Sequence, residues 1–313
     1  MRLIRTLILL PVLFSVACAS ATEKTVKGEE LEPQSRIIEV GGSDIEVLFN
    51  QGVHGADSDR WIEWVRRSAE TVSDYYGGFP VKEVGVNLVM DTGSGVKTGR
   101  AYKGVDKPQL IVWVGTDSLD SELKNDWIMI HEMIHLATAS LPRRHNWLEE
   151  GLSVYIESVS RAQKGYLSEE RVWKEFFSRM PQGQPFSGDN GLDNTRTWGR
   201  TYWGGAIFCL LVDVAVREHT NNKMSLKNAV QSVVKENLTM DTNATMDDIL
   251  NAMDRDFDIP LVRRIYETYA HSPKPFGLEK LWRDLGVNVS GGSVTFDDAA
   301  RLAYIRKAIT HDS

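Results

Sequence analysis

Cysteine is almost absent from this chain, which has only Cys18 and Cys209. That scarcity excludes an internal disulfide framework and, equally, a structural zinc site built on thiolates. Cys209 falls in the apolar run Ile207 to Val216 and is expected as a small core residue rather than a nucleophile. Excess charge is scarce too. The 36 basic and 43 acidic residues leave a formal charge of -7 with no basic stripe, so nucleic acid is not an expected partner. No apolar run reaches the roughly twenty residues that a membrane span needs. No internal repeat and no sustained heptad is present, which leaves the oligomeric state open.

The longest apolar run, Leu7 to Ala17, covers about eleven residues, follows Arg2 and Arg5, and precedes Ala17-Cys18-Ala19-Ser20-Ala21. This is the layout of a secretory signal, so residues 1–21 are expected to direct export to the periplasm or cell envelope. Cleavage after Ala19 or Ala21 releases a free protein. The alternative is a lipid anchor at Cys18, because Ser15-Val16-Ala17-Cys18 weakly matches a lipoprotein signal, although the usual leucine three residues before the cysteine is missing. Residues 22–35 are polar and proline-punctuated and are expected to form a flexible lead.

Arg36 to Phe49 alternates in two short runs around Gly41-Gly42, the pattern of a β-hairpin. A helix is expected from Asp57 to Tyr76, then strands at Val84 to Met90, Gly99 to Lys103 and Gln109 to Val114. After Leu148 the periodicity predicts helices alone: Glu169 to Met180, Tyr202 to Glu218, Ser225 to Asn237, Met246 to Met253, Ile259 to Tyr269 and Asp297 to Ile309. The expected fold class is α+β, with a sheet-bearing α/β lobe over residues 36–140 and an all-helical lobe over 141–313.

The chemistry is concentrated in His131-Glu132-Met133-Ile134-His135. On a helix, residues four apart share a face, so the two imidazoles can hold one metal ion while Glu132 sits beside it as a base. Trp127 to Ile130 and Met133 to Ala137 make this helix apolar nearly all round, hence buried. Two histidines and a carboxylate in a buried helix cost several kcal/mol unless satisfied, and a divalent cation satisfies all three. A catalytic zinc takes three protein ligands, most often in hydrolases two histidines and a glutamate. Leu141-Pro142 is expected to end the first helix and Trp147 to open the next. In that second helix Leu148, Leu152, Tyr155 and Ile156 form an apolar stripe, which places Glu150, Ser153 and Glu157 on the other side, so that Glu150 can look into a cleft.

Trp147-Leu148-Glu149-Glu150-Gly151 resembles the Trp-Leu-x-Glu-Gly element of the gluzincin metallopeptidases, especially the aminopeptidase N and glycyl aminopeptidase families with their peptidase MA-like domain. The resemblance implies that Glu150 is the third zinc ligand and Glu149 its neighbour. The fourteen residues between His135 and Glu150 are fewer than in the aminopeptidase N pattern. Tyr202-Trp203-Gly204-Gly205-Ala206 is similar to the Tyr-x-Lys-Gly-Ala element of the same families, with Gly204 in place of the lysine. It implies that Tyr202 donates a hydrogen bond to the oxyanion of the tetrahedral intermediate. The Gly-x-Met-Glu-Asn element that holds a free amino terminus is absent. Its nearest counterpart, Gly99-Arg100-Ala101-Tyr102, has no carboxylate, so aminopeptidase specificity is not implied.

Together these features predict a thermolysin-like zincin that binds one Zn2+ ion through His131, His135 and Glu150. It would hydrolyse peptide bonds of a peptide or protein substrate with a metal-activated water, Glu132 serving as base and Tyr202 as oxyanion donor. Two alternatives stand beside it: a non-catalytic envelope protein of the same fold that binds a peptide or wall fragment, and a metal hydrolase acting on another substrate.

Overall fold

The structure, a computed structural model, describes residues 34–50 and 56–311. The expected signal segment, its cleavage sites and Cys18 lie outside the described residues, as does most of the expected lead. Strand β1 (Gln34–Val40) begins just inside that lead and pairs antiparallel with β2 (Ser43–Phe49). Gly41 and Gly42 join them with φ of 59° and 81°, a left-handed pair that glycine adopts without a Cβ clash. Helix α1 (Ala56–Tyr76) carries the chain to β3 (Glu83–Asp91), which lies parallel to β2. Strands β4 (Val96–Tyr102) and β5 (Gln109–Gly115) complete a five-stranded sheet of order β1-β2-β3-β5-β4. Because β5 inserts parallel beside β3, the antiparallel β4 is displaced to the edge. The inner strands bury Val47, Val86, Leu88, Leu110 and Val112 completely, the apolar run expected of strands covered on their faces.

Helices α2 (Asp120–Asn125), α3 (Ile128–His135) and α4 (Asn146–Gln163) follow. Beyond them come α5 (Glu169–Arg179), a π-turn at Arg200–Gly204, α6 (Gly205–His219), α7 (Leu226–Lys235), α8 (Met246–Asp254), α9 (Leu261–Tyr269), α10 (Leu278–Leu285) and α11 (Ala303–Thr310). One continuous cluster of buried apolar side chains runs from the sheet through α1, α3 and α4 into the later helices. Among the described residues no helix is long and apolar enough to cross a membrane.

Two expectations need correction. The carboxyl-terminal part is not all-helical, because β6 (Val287–Ser290) and β7 (Ser293–Phe296) form a hairpin there. Gly291 and Gly292, both at positive φ, make its two-residue turn, and alternating β-branched residues flank them. Helix α3, expected to carry the metal ligands, ends at His135, well before Leu141. The Leu136 carbonyl accepts from the Met240 amide and Ser140 pairs with the 242–244 segment, so tertiary hydrogen bonds replace the next helical turn. Glu157, on the same helix as Glu150, is buried and pairs at 3.0 Å with Arg161 four residues on.

Candidate metal centre

Helix α3 is only eight residues long and almost wholly buried, so its position is set by tertiary contacts rather than by intrinsic helix stability. Asp126 caps it, accepting from the amides of Ile128 at 2.9 Å and Met129 at 3.0 Å and from the Trp64 indole at 3.2 Å. The imidazoles of His131 and His135, one turn apart, lie with ring centres 5.0 Å apart and planes at 81°. Glu150, on the second turn of α4, brings Oε2 to 3.3 Å from Nε2 of His131 and 3.7 Å from Nε2 of His135. Ligand atoms of the three residues all fall within 4.8 Å of one another.

That donor set fits a metal ion. Tetrahedral zinc with bonds of about 2.0–2.1 Å separates its ligand atoms by roughly 3.3–3.4 Å, close to the spacings seen here and longer than a good imidazole–carboxylate hydrogen bond. The protonation pattern agrees. Burial, helped by neighbouring His131, pushes His135 down to about 4, which leaves its ring neutral as a ligand must be. Burial alone would raise Glu150, but hydrogen bonds and charge from His131, His135 and Tyr202 hold it below the usual range. Behind the ligands, Ser153 Oγ lies 3.4 Å from Nδ1 of His135. Nδ1 of His131 is buried with no partner among the described residues, so this ring lacks the outer hydrogen bond that ordinarily fixes a ligand's tautomer.

Glu132 lies on the same helix, directed at edge strand β4. A Cβ on Gly99 would stand 2.5 Å from Cγ of Glu132, so only glycine lets strand and helix approach this closely. The Ala101 amide donates to the Glu132 carboxylate, yet burial dominates and raises its pKa. Burial also raises Glu149, to about 7.

Glycines govern the other side of the site as well. A Cβ on Gly151 would come within 2.3 Å of the Gly205 backbone, and one on Gly205 within 2.0 Å of the Trp147 carbonyl oxygen. Thus α4 and α6 cross with bare backbones in contact, which brings the residue before Gly151 beside the turn before Gly205. Tyr202, in that turn, donates to Glu150 and stacks on Trp198 with ring centres 5.7 Å apart. Burial, then the Glu150 charge, raises its phenol to about 12. Gly204, where the resembled element has lysine, packs against Gly183: a Cβ on Gly183 would meet the Gly204 amide nitrogen at 2.3 Å. A cavity of about 490 Å³ opens beside His131 and Tyr202, walled by Trp127, Val154, Trp198 and Trp203 and by charged residues of both signs, among them Glu157, Arg161 and Arg171.

The structure therefore brings His131, Glu132, His135, Glu150 and Tyr202 together, while Glu149 stays outside the cluster. Sequence reasoning missed the roles of Asp126 and Gly99, while it placed Ser153 on the same side of α4 as Glu150. An aspartate just before an apolar helical run is the recognisable sign of a cap, whereas Gly99 acts through a strand–helix contact that no local pattern encodes.

No family model matches the chain, and no curated protein matches it in sequence. Among solved structures it is similar to an aminopeptidase N family protein from Idiomarina loihiensis, with 16% identity and a TM-score of 0.59 over 83% of this chain and 50% of that one. It is also similar to a two-domain M1 zinc metallopeptidase variant bound to L-arginine, at 14% identity and a TM-score of 0.52 over 78% of this chain and 53% of that one. An M1 zinc metallopeptidase from Deinococcus radiodurans gives 14% identity and a TM-score of 0.50, again over 78% of this chain and 54% of the other. The chain thus spans about half the length of these proteins. At such identities the likeness concerns architecture alone: this mixed α/β chain, a five-stranded sheet with many helices, shares its fold with M1 zinc metallopeptidases.

Proposed function

We propose that this chain is a zinc-dependent metallopeptidase of gluzincin type, with a thermolysin-like arrangement in which the sheet lobe and the helical lobe meet at the metal. His131, His135 and Glu150 would hold one Zn2+, and Glu132 and Tyr202 would do the proton and oxyanion work. The observation that carries the reading is the convergence of Glu150 Oε2 on two imidazole nitrogens at 3.3 and 3.7 Å, the spacing of a tetrahedral edge.

When bound, zinc supplies Lewis acidity toward a carbonyl and lowers the pKa of water toward neutrality. The chain's own groups account for the rest. Glu132, oriented by the Ala101 amide and raised by burial, takes a proton from the attacking water and returns it to the leaving amine. Strand β4 is an edge, so its free backbone groups can pair with an extended peptide and lay the scissile bond across Glu132. Tyr202 keeps its proton to about pH 12 and so remains a hydrogen-bond donor to a developing oxyanion. The aromatic-walled cavity beside it is roomy enough for a large side chain of the substrate. A base beside the ligand cluster disfavours the purely binding alternative.

Purified protein incubated with a mixed peptide library, with and without a chelator, tests the reading. Cleavage that stops with chelator and returns with zinc is expected. Glu132→Gln should hold zinc by elemental assay while losing about 10²–10⁴-fold in rate, the usual share of a general base. Chelator-resistant cleavage, or full turnover in that variant, would overturn the assignment. Zinc binding without any cleavage would select the binding alternative or another substrate.

A further inference from the structure

A second pocket, of about 220 Å³, shares no residue with the cavity beside the metal centre. It is lined by Arg143 and Arg144 from the turn before α4, by Asn146 and Trp147, the first two residues of α4, and by Leu192, Thr195, Arg196 and Thr201. Three arginines, each exposed to solvent, therefore line a pocket without a carboxylate residue in its wall. None of the three forms an ion pair with an acidic side chain among the described residues, although 43 acidic residues were on hand in the chain to neutralise them. Like charges gathered in this way repel each other and stand ready for a counter-charge from outside.

One of these arginines is held from behind by a buried network. Asp193, 3% exposed, accepts from the Trp147 indole at 2.8 Å and from the Tyr266 hydroxyl at 2.6 Å. It also pairs at 2.9 Å with Nδ1 of His145, itself 1% exposed. Because Nε2 of His145 accepts from Nε of Arg144 at 2.9 Å, the proton of the ring sits on Nδ1 and is donated to Asp193. This chain of donors fixes the Arg144 guanidinium by its inner nitrogen. Its two terminal amines have no partner among the described residues. They form the planar fork that suits a carboxylate or phosphate, already oriented and so spared much of the entropy loss of binding. Asn146, Thr195 and Thr201 add polar groups to the same wall, and no side chain caps the start of α4. Neither Asp193 nor His145 touches the ligand cluster; besides holding Arg144, the network ties the start of α4 to α9 through Trp147 and Tyr266.

We propose that this pocket is an oxyanion-binding site, in which the Arg144 fork, flanked by Arg143 and Arg196, takes the carboxylate or phosphate group of a small ligand. The inference goes beyond the hydrolase reading and stands without it. Titrating the full chain at low ionic strength with inorganic phosphate and, separately, with succinate, and following binding by calorimetry and thermal shift, tests it. Saturable binding of at least one, with a dissociation constant in the millimolar range or tighter, is expected, and the tighter of the two identifies the anion class. Arg196→Gln, which removes a charge but no hydrogen bond, and Arg144→Gln should each weaken binding tenfold or more. Arg144→Lys should fall between wild type and Arg144→Gln, because it keeps the charge and loses the fork. Arg283→Gln, on α10 away from the pocket, should bind as wild type. Failure of both anions to saturate the wild-type chain, or wild-type affinity in both Arg196→Gln and Arg144→Gln, would overturn the proposal.

Discussion

Gly99→Ala puts a single methyl group between strand β4 and the proposed base. The added Cβ would lie 2.5 Å from Cγ of Glu132, 2.9 Å from Cγ2 of Ile128 and 3.0 Å from Cδ of Glu132. Carbon atoms rest about 3.5–4.0 Å apart, so relief requires a movement of roughly 1 Å. Helix α3 cannot readily retreat, because Met129, Met133 and Ile134 on it are completely buried against the core. The Glu132 side chain is the freer body, and it is expected to swing away from the Ala101 amide. Overpacking of this kind costs about 1–3 kcal/mol of stability. A base displaced by about 1 Å costs on the order of 10²-fold in rate. His131 and His135 would hold zinc through side chains that the new methyl does not touch, so zinc content should stay as in the unsubstituted protein. The assay combines elemental zinc, denaturant unfolding and kcat/KM on a cleaved peptide. Unchanged kcat/KM would refute the claim that Gly99 positions Glu132. Loss of zinc in parallel with rate would show that the whole helix moved.

Replacing Tyr202 with Phe should lower kcat by roughly ten- to a thousand-fold with zinc retained, as for loss of an oxyanion donor, and an unchanged rate would reduce Tyr202 to a packing residue. Gly151→Ala sets a methyl within 2.3–2.7 Å of the Gly205 backbone, which no rotamer change can relieve. It should cost at least about 1–3 kcal/mol in a denaturant titration and weaken zinc tenfold or more by displacing Glu150, and a wild-type unfolding midpoint would contradict the close crossing. Asp126→Ala removes the cap of α3 and should cost about 1–2 kcal/mol, read from the same midpoint. No change there would mean that packing alone holds the helix.

What the sequence discloses depends on how local each cause is. The hairpin at Gly41-Gly42, the run of α1 and the three later strands of the sheet follow from period and punctuation, and they appear within a few residues of the expected places. The spacing of His131, Glu132 and His135 is likewise a helical fact. Strand order is different: nothing local says that β5 lies between β3 and β4, which is what leaves β4 at the edge beside Glu132. The early end of α3 comes from hydrogen bonds to residues about a hundred positions later. Glu157 and Arg161 stand four apart on α4, a pairing that helical spacing discloses, whereas the burial of both comes only from the fold. The hairpin of β6 and β7 is masked by the surrounding helical pattern, whereas helix α10, absent from the sequence-based expectation, is legible in its spacing. Leu278, Leu281, Trp282 and Leu285 form a regular buried stripe between Gly277 and Gly286, both left-handed.

The contact between Gly151 and Gly205 has a consequence for how such a chain can vary. Each glycine already carries the smallest side chain possible, so a bulkier residue at one cannot be rescued by trimming the other. A metal ligand or an acid can be exchanged for a chemical cousin, but this pair has no substitute to drift toward. Two stretches more than fifty residues apart are therefore tied to each other by steric exclusion, independently of what reaction they serve. Relatives that had lost every ligand would still be expected to keep both glycines as long as they kept these two helices crossed at the same depth.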